Sequence, residues 1–317
     1  TLPGFGRFLR DELSDRPDAD SVEETSFDGR NDLVGFEATG RVGELPRTAE
    51  ATFVEICRGV EIRKLREVVS HLWPEPAVER ALSVYAASVR PLRGRMSYRV
   101  VARLRSEGTF QRSQLREAFA DRIAQARPRW RRDDPADLEF WVTESDPGRL
   151  RMGLRLAAPA RGDGRRARSR ERRGSLRPSV AAAMLRWAGR SASGILLDPC
   201  CGSGTLLDAA RSAGFQPLGI DRDPGALDSA RSNLGAKIPP LIRGDVHRIP
   251  LRDASVSAIV TNLPFGRQFA VAEPAAWFDR ALSEMGRVTR PGGPLVLLSP
   301  RSEAFRAAAR HKPVPQL

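Results

Sequence analysis

In the second half of the chain, short apolar runs alternate with segments of helical spacing. Gly194 to Leu197 is an apolar run ending at Asp198, and glycines follow it. Leu206 to Ala213 has helical spacing, Gln216 to Ile220 is a second run ending at Asp221, and Pro224 to Leu234 reads as a helix with proline in its first turn, where no backbone donor is needed. Pro240 to Gly244, ending at Asp245, and Val256 to Thr261, ending at Asn262, read as the third and fourth strands. Trp277 to Val288 is an amphipathic helix, and Pro294 to Ser299 is a fifth strand. Strands alternating with helices predict an α/β unit with a parallel sheet covered on both faces. Ligands of such sheets bind beyond the carboxyl ends of the strands. Asp198, Asp221, Asp245 and Asn262 all fall at predicted strand ends.

The first half has a different pattern. Phe5 to Leu13, Val60 to Leu72, Ala77 to Ala87 and Gln111 to Ala126 have helical spacing. Leu33 to Ala38, Ala51 to Ile56, Ser97 to Leu104, Leu138 to Val142 and Arg151 to Leu156 read as strands. Segregated strands and helices predict α+β modules. Between the halves, Arg161 to Gly174 is rich in Gly and Arg with no apolar period, which is the pattern of a linker. At 317 residues the chain has room for two or three domains.

Composition narrows the partners. Lys and Arg number 52 against 39 Asp and Glu, a formal charge of +13, and the only lysines are Lys64, Lys237 and Lys312. Such a basic chain points to a polyanion, and the planar arginine fork suits phosphate and stacks on bases. The run Arg127 to Arg132, with Trp130 among its arginines, is a candidate RNA contact. Cys57, Cys200 and Cys201 form no disulfide framework and lack zinc spacing, and His71, His247 and His311 show no metal or triad pattern, so no metal is expected. With no apolar run long enough to span a bilayer and no signal-peptide pattern, a cytoplasmic protein without a membrane or an evident obligate protein partner is expected.

The chemistry lies in two strings. In Asp198-Pro199-Cys200-Cys201-Gly202-Ser203-Gly204-Thr205, a glycine turn after a strand lets the backbone approach a ligand closely. Asp221 ends the next strand, where an acid accepts ribose hydroxyls, and Asp245 stands where an adenine amino group would lie. In Thr261-Asn262-Leu263-Pro264-Phe265-Gly266, an Asn amide oxygen and a backbone carbonyl can accept both hydrogens of an exocyclic base amine. Proline stiffens the turn, and Phe265 can stack on the base. Positioning rather than a strong general base then carries the chemistry.

These strings resemble the THUMP-containing RNA methyltransferases, and within them the tRNA guanine-N2 methyltransferases. Leu176-Arg177-Pro178-Ser179-Val180-Ala181-Ala182-Ala183 resembles the stretch that precedes the first strand in that family. The resemblance implies a ferredoxin-like region over 1–60, a THUMP-like RNA-binding domain over 61–158, a basic linker over 159–175 and a Rossmann-type methyltransferase domain over 176–317. It implies S-adenosylmethionine as cofactor, held by Pro178, Asp198, Pro199, Cys200, Gly202, Ser203, Gly204, Thr205, Asp221, Asp245, Val246 and Asn262. Asn262, Pro264 and Phe265 would hold the target base, and the cysteines would do no chemistry. The implied reaction is methylation of guanine N2 in tRNA. Ribosomal RNA, an adenine N6, or a catalytically silent RNA-binding module are the alternatives. Leu263 stands where the family commonly has a first proline, which puts loop rigidity in question. The family's closing β-hairpin after the fifth strand is not supplied by Val314 to Leu317.

Overall fold

The computed structural model describes residues 1–25, 32–38, 42, 44–61, 64–104, 110–146, 148–156, 175–189, 194–235, 238–264, 274–299 and 303–310. The chain divides into two compact units, Thr1–Arg165 and Arg166–Leu317. The linker expected over 159–175 lies almost wholly outside the described residues.

The N-terminal unit opens with α1 (Gly6–Ser14) and an antiparallel pair, β1 (Ala19–Thr25) and β2 (Leu33–Ala38). Then follow β3 (Phe53–Glu61), α2 (Leu65–Leu72), α3 (Glu75–Ser88), β4 (Ser97–Arg103), α4 (Arg112–Ala126), β5 (Arg131–Arg132), β6 (Leu138–Asp146) and β7 (Arg149–Arg155). The last five strands form one mixed sheet in the order β3-β7-β6-β4-β5. Strict alternation along β6 and β7 buries Leu138, Phe140, Val142, Leu150, Met152 and Leu154 in a single core with Leu115, Phe119 and Ile123 of α4. Each such side chain contributes about 1.5–3 kcal/mol by leaving water. Helix α4 starts where Gln111 and Gln114 form a reciprocal capping box.

One expectation is corrected here. The helix expected from Val60 begins only at Leu65, because β3 runs on to Glu61 through pairings of Val60 with Leu150 and Glu61 with Arg149. Gly59, at φ +76°, sits in the irregular stretch between Cys57 and Val60. Because β3 joins β7, the hydrogen-bonded sheet crosses the boundary expected at 60/61. The arginine run 127–132 makes several ion pairs. Arg127 pairs with Glu75 and Glu79, Arg131 with Asp133, and Arg132 with Glu117.

The C-terminal unit runs α5 (Pro178–Trp187), β8 (Ile195–Asp198), α6 (Thr205–Ser212), β9 (Gln216–Asp221), α7 (Pro224–Leu234), β10 (Leu241–Arg243), β11 (Ala258–Asn262), α8 (Pro274–Val288), β12 (Leu295–Leu298) and α9 (Glu303–Arg310). All five strands are parallel, in the order β10-β9-β8-β11-β12. This is the Rossmann-type architecture expected. One core layer packs α8 against β11 through Phe278, Ala281, Leu282, Met285 and Ile259, and another packs α5 and α6 through Ala181, Leu185, Leu206 and Ala210. Helix α9 was not anticipated. It docks through Ala308 and Ala309, with Phe305 edge-on to Phe278 at 5.3 Å. Among the described residues, no helix is long and apolar enough to cross a membrane.

Candidate functional site

Sheet growth reverses between β8 and β11, the position in such a sheet at which ligands bind beyond the carboxyl ends of the strands. The first motif string and Thr261 to Pro264 of the second lie at the ends of these two strands. Asp198, the last residue of β8, is 1% exposed. Its Oδ1 accepts the Cys200 N–H at 3.1 Å and the Thr261 hydroxyl at 2.7 Å. Burial pushes this carboxyl up to about 7, against the pull of those two hydrogen bonds, and the nearby charge of Asp221 adds to the rise. Asp198 therefore braces the turn from beneath.

This burial has a sign that can be tested. An unfolded aspartate titrates near 3.9, about three units below the folded value, so the protonated form is favoured by folding. Asp198's contribution to stability is thus full below about pH 4 and is lost as the pH rises toward 7. Asp198→Asn keeps an acceptor for Thr261 and removes the titration. In denaturant unfolding between pH 4 and 7, the variant should gain on the wild type by up to about 1.4 kcal/mol per pH unit. Parallel pH dependences of the two proteins would refute this.

The turn itself is built by two glycines with different tasks. Gly202 has φ +52°, and a Cβ there would meet nothing within 4 Å, so its outer side is open. Gly204 has φ +85°, and a Cβ would lie 3.1 Å from Leu234 Cδ1 and 3.3 Å from Ala230 Cβ, so only glycine lets α7 pack this closely. Ser203, buried between them, accepts Asn233 Nδ2 on its carbonyl at 3.1 Å, and its hydroxyl lies 3.0 Å from that of Ser175. Thr205 begins α6, and no side chain caps that helix at Gly204. Pro199 and Cys201 are buried. Burial, with Asp198 and Asp221 nearby, holds the Cys200 and Cys201 thiols well above the usual range, so neither is poised as a nucleophile.

Asp221, half-buried at the end of β9, accepts the Gly202 N–H at 2.8 Å on Oδ2 and the Asp223 N–H at 2.9 Å on Oδ1. A carboxylate has about four acceptor positions, so both oxygens can still take a ligand hydroxyl. Asp245, exposed just past β10, accepts the His247 backbone N–H at 2.9 Å, with His247 Nδ1 3.2 Å from the same oxygen. The His247 ring meets Trp277 edge-on at 4.9 Å. Val246 is a core residue, 6% exposed, and offers a ligand only its backbone. Pro178 is exposed at the first turn of α5.

Asn262 closes β11, in register with Leu298 of β12, and is half-buried beside Pro264. Leu263 is 1% exposed, and its N–H donates to Leu298 O at 3.0 Å. A proline could not make that bond. The leucine thus ties the chain at the end of β11 to β12. Phe265 lies outside the described residues. Sequence reasoning missed Thr261, Ser175 and Asn233 as braces of the turn.

Comparison with known proteins bears on this half of the chain. Residues 165–316 match the family described as UPF0020, RMKL-like, methyltransferase domain. The U6 snRNA (guanine-N(2))-methyltransferase THUMPD2 of Bos taurus is 38% identical over 130 residues, 39% of this chain and 25% of that protein. The tRNA (guanine(6)-N(2))-methyltransferase THUMP3 of Bos taurus is 32% identical over 154 residues, 42% of this chain and 30% of that protein. The matched region thus spans a quarter to a third of these curated relatives. In fold, the chain is similar to TrmN from Thermus thermophilus, with a TM-score of 0.72 at 24% identity, covering 99% of this chain and 90% of that one. Family match, strand order and turn chemistry agree over residues 165–316, the part of this chain that matches the RMKL-like methyltransferase domain.

Proposed function

We propose that this protein transfers a methyl group from S-adenosylmethionine to the exocyclic N2 of a guanine in tRNA. The observation that carries the reading is the setting of Asn262-Leu263-Pro264 beside the Gly202–Gly204 turn, at the end of adjacent parallel strands where the strand order reverses. The donor fits the residues present. Space over Gly202 would admit it, and the spare acceptor positions of Asp221 would take its ribose hydroxyls. Asp245 would take its adenine amino group. The N-terminus of α6, from Thr205, would favour its carboxylate. Pro178, Ser203 and the backbone of Val246 would complete the surround.

When bound, the sulfonium supplies an electrophilic methyl group. The chain's own part is orientation. The Asn262 amide oxygen and a carbonyl of the following loop would accept the two amine hydrogens, aim the nitrogen lone pair and favour its pyramidal form. Pro264 would hold that loop and Phe265 would stack on the base, which must be presented unstacked. In the N-terminal unit, the ferredoxin-like region 1–60 and the THUMP-like domain 61–158 would grip the RNA. Surface arginines of that unit are the natural phosphate contacts. A tRNA substrate fits a cytoplasmic site.

The names of the relatives support N2 of guanine as the acceptor and leave two RNA classes to compare. Incubation with labelled donor and separate tRNA, snRNA and rRNA pools, followed by nucleoside analysis, tests the proposal. N2-methylguanosine in the tRNA pool is expected. Label confined to another pool would reassign the RNA, label on adenine N6 would reassign the base, and donor binding without transfer would reject the enzyme.

A further inference from the structure

We infer that Thr261 is a positioning residue that locks the acceptor loop to the donor turn. The inference rests on the methyl-transfer reading above. The backbone pairing of β8 with β11 joins Leu196 to Ala258 and Leu197 to Ile259, and goes no further. The two strands nevertheless run on to Asp198 and Asn262. Over those last residues, where the two loops leave the sheet, a side-chain bond makes the connection. Thr261 is 0% exposed, and its hydroxyl donates to Asp198 Oδ1 at 2.7 Å. The same oxygen accepts the N–H of Cys200 inside the turn. One carboxylate atom therefore joins the donor turn to the residue immediately before Asn262.

Bonding on the other side of β11 cannot replace this link. Asn262 is in register with Leu298, and Leu263 N–H reaches Leu298 O. Those contacts fix the acceptor loop to β12, which lies on the far side from the turn. Without the threonine hydroxyl, the acceptor loop remains attached to the sheet but loses its link to the donor turn. Methyl transfer needs the reacting atoms roughly 3–3.5 Å apart and in line, so a small drift is felt in the rate. The proposed donor contacts fall to Asp221, Asp245 and the backbone of the turn, which the Thr261 hydroxyl reaches only through the Asp198 carboxylate and the Cys200 thiol.

The test uses Thr261→Val, Thr261→Ala and Thr261→Ser in the full chain. The readouts are kcat on the RNA substrate, and Kd for S-adenosylhomocysteine by calorimetry as the donor-site probe. Valine should lower kcat by about tenfold or more with Kd within about twofold of wild type, and serine should restore most of kcat. Should the valine protein fail to fold, the alanine and serine proteins make the same comparison. Equal kcat in alanine, serine and wild type overturns the inference. So does a loss of probe affinity as large as the loss of kcat, since that marks a general structural role. If the wild type binds the probe and methylates no RNA, the methyl-transfer reading fails first and the inference falls with it.

Discussion

Asn262→Ala is expected to lower methyl transfer by about 10²-fold or more at saturating donor. Donor affinity, read as the Kd of S-adenosylhomocysteine, should stay within about twofold of wild type, because every expected donor contact other than Asn262 lies on another element. The size follows from the role. An amide oxygen that accepts an amine hydrogen acts only on the reacting nitrogen, and removing one preorganised polar group aimed at developing charge typically costs that much. The fold should tolerate the change, since the side chain closes β11 half-buried and the register with Leu298 is backbone pairing. Single-turnover kinetics with preformed enzyme–donor complex separate the two quantities. An equal fall in both would make Asn262 a structural residue of the β11 end.

Asp221→Ala should produce the opposite split. The carboxylate holds the Gly202 N–H at 2.8 Å and the Asp223 N–H at 2.9 Å, so it shapes the turn, while in the proposed site its remaining acceptor positions would take ribose hydroxyls. Hydrogen bonds to a charged acceptor are worth about 1.5–3 kcal/mol each, and losing them should weaken probe binding by about 10²-fold. Once donor saturates the variant, kcat should recover toward wild type, because the acceptor loop is untouched. Asp221→Asn, which keeps one acceptor oxygen, should fall between the two. Calorimetric titration decides it, and an unchanged Kd would remove Asp221 from the proposed donor site.

Both predictions concern residues that the amino-acid sequence alone singles out. Asp221 and Asn262 end short apolar runs, and such punctuation survives in sequence because a parallel strand is nearly all apolar until the chain leaves the sheet. Helix α7 was legible to the residue because Asp223 caps it and Pro224 opens it, both local signals. What escaped was non-local. The extension of β3 to Glu61 depends on a partner strand nearly a hundred residues away, and a window around Val60 sees only helical spacing. Strand β1, Ala19-Asp20-Ser21-Val22-Glu23-Glu24-Thr25, is mostly polar and carries no apolar period. The bond between Thr261 and Asp198 joins positions 63 residues apart, and a threonine in a strand is otherwise ordinary. For the same reason the sequence suggests Asp198 as a ligand-facing acid, where the fold encloses it.

Ser203 carries a consequence for how the domain assembles. Its hydroxyl meets Ser175 from 28 residues upstream, and its carbonyl is held by Asn233 from 30 residues downstream. The turn is complete only when both clamps are made, which needs α7 docked and Ser175 in place. A partly folded domain that has formed β8 and β9 therefore lacks a finished donor turn. Ligand at this turn then selects the fully folded domain and stabilises it by mass action, in proportion to the logarithm of its concentration over Kd once that ratio is large. Bound cofactor would thus add to the stability of the domain as well as take part in its reaction.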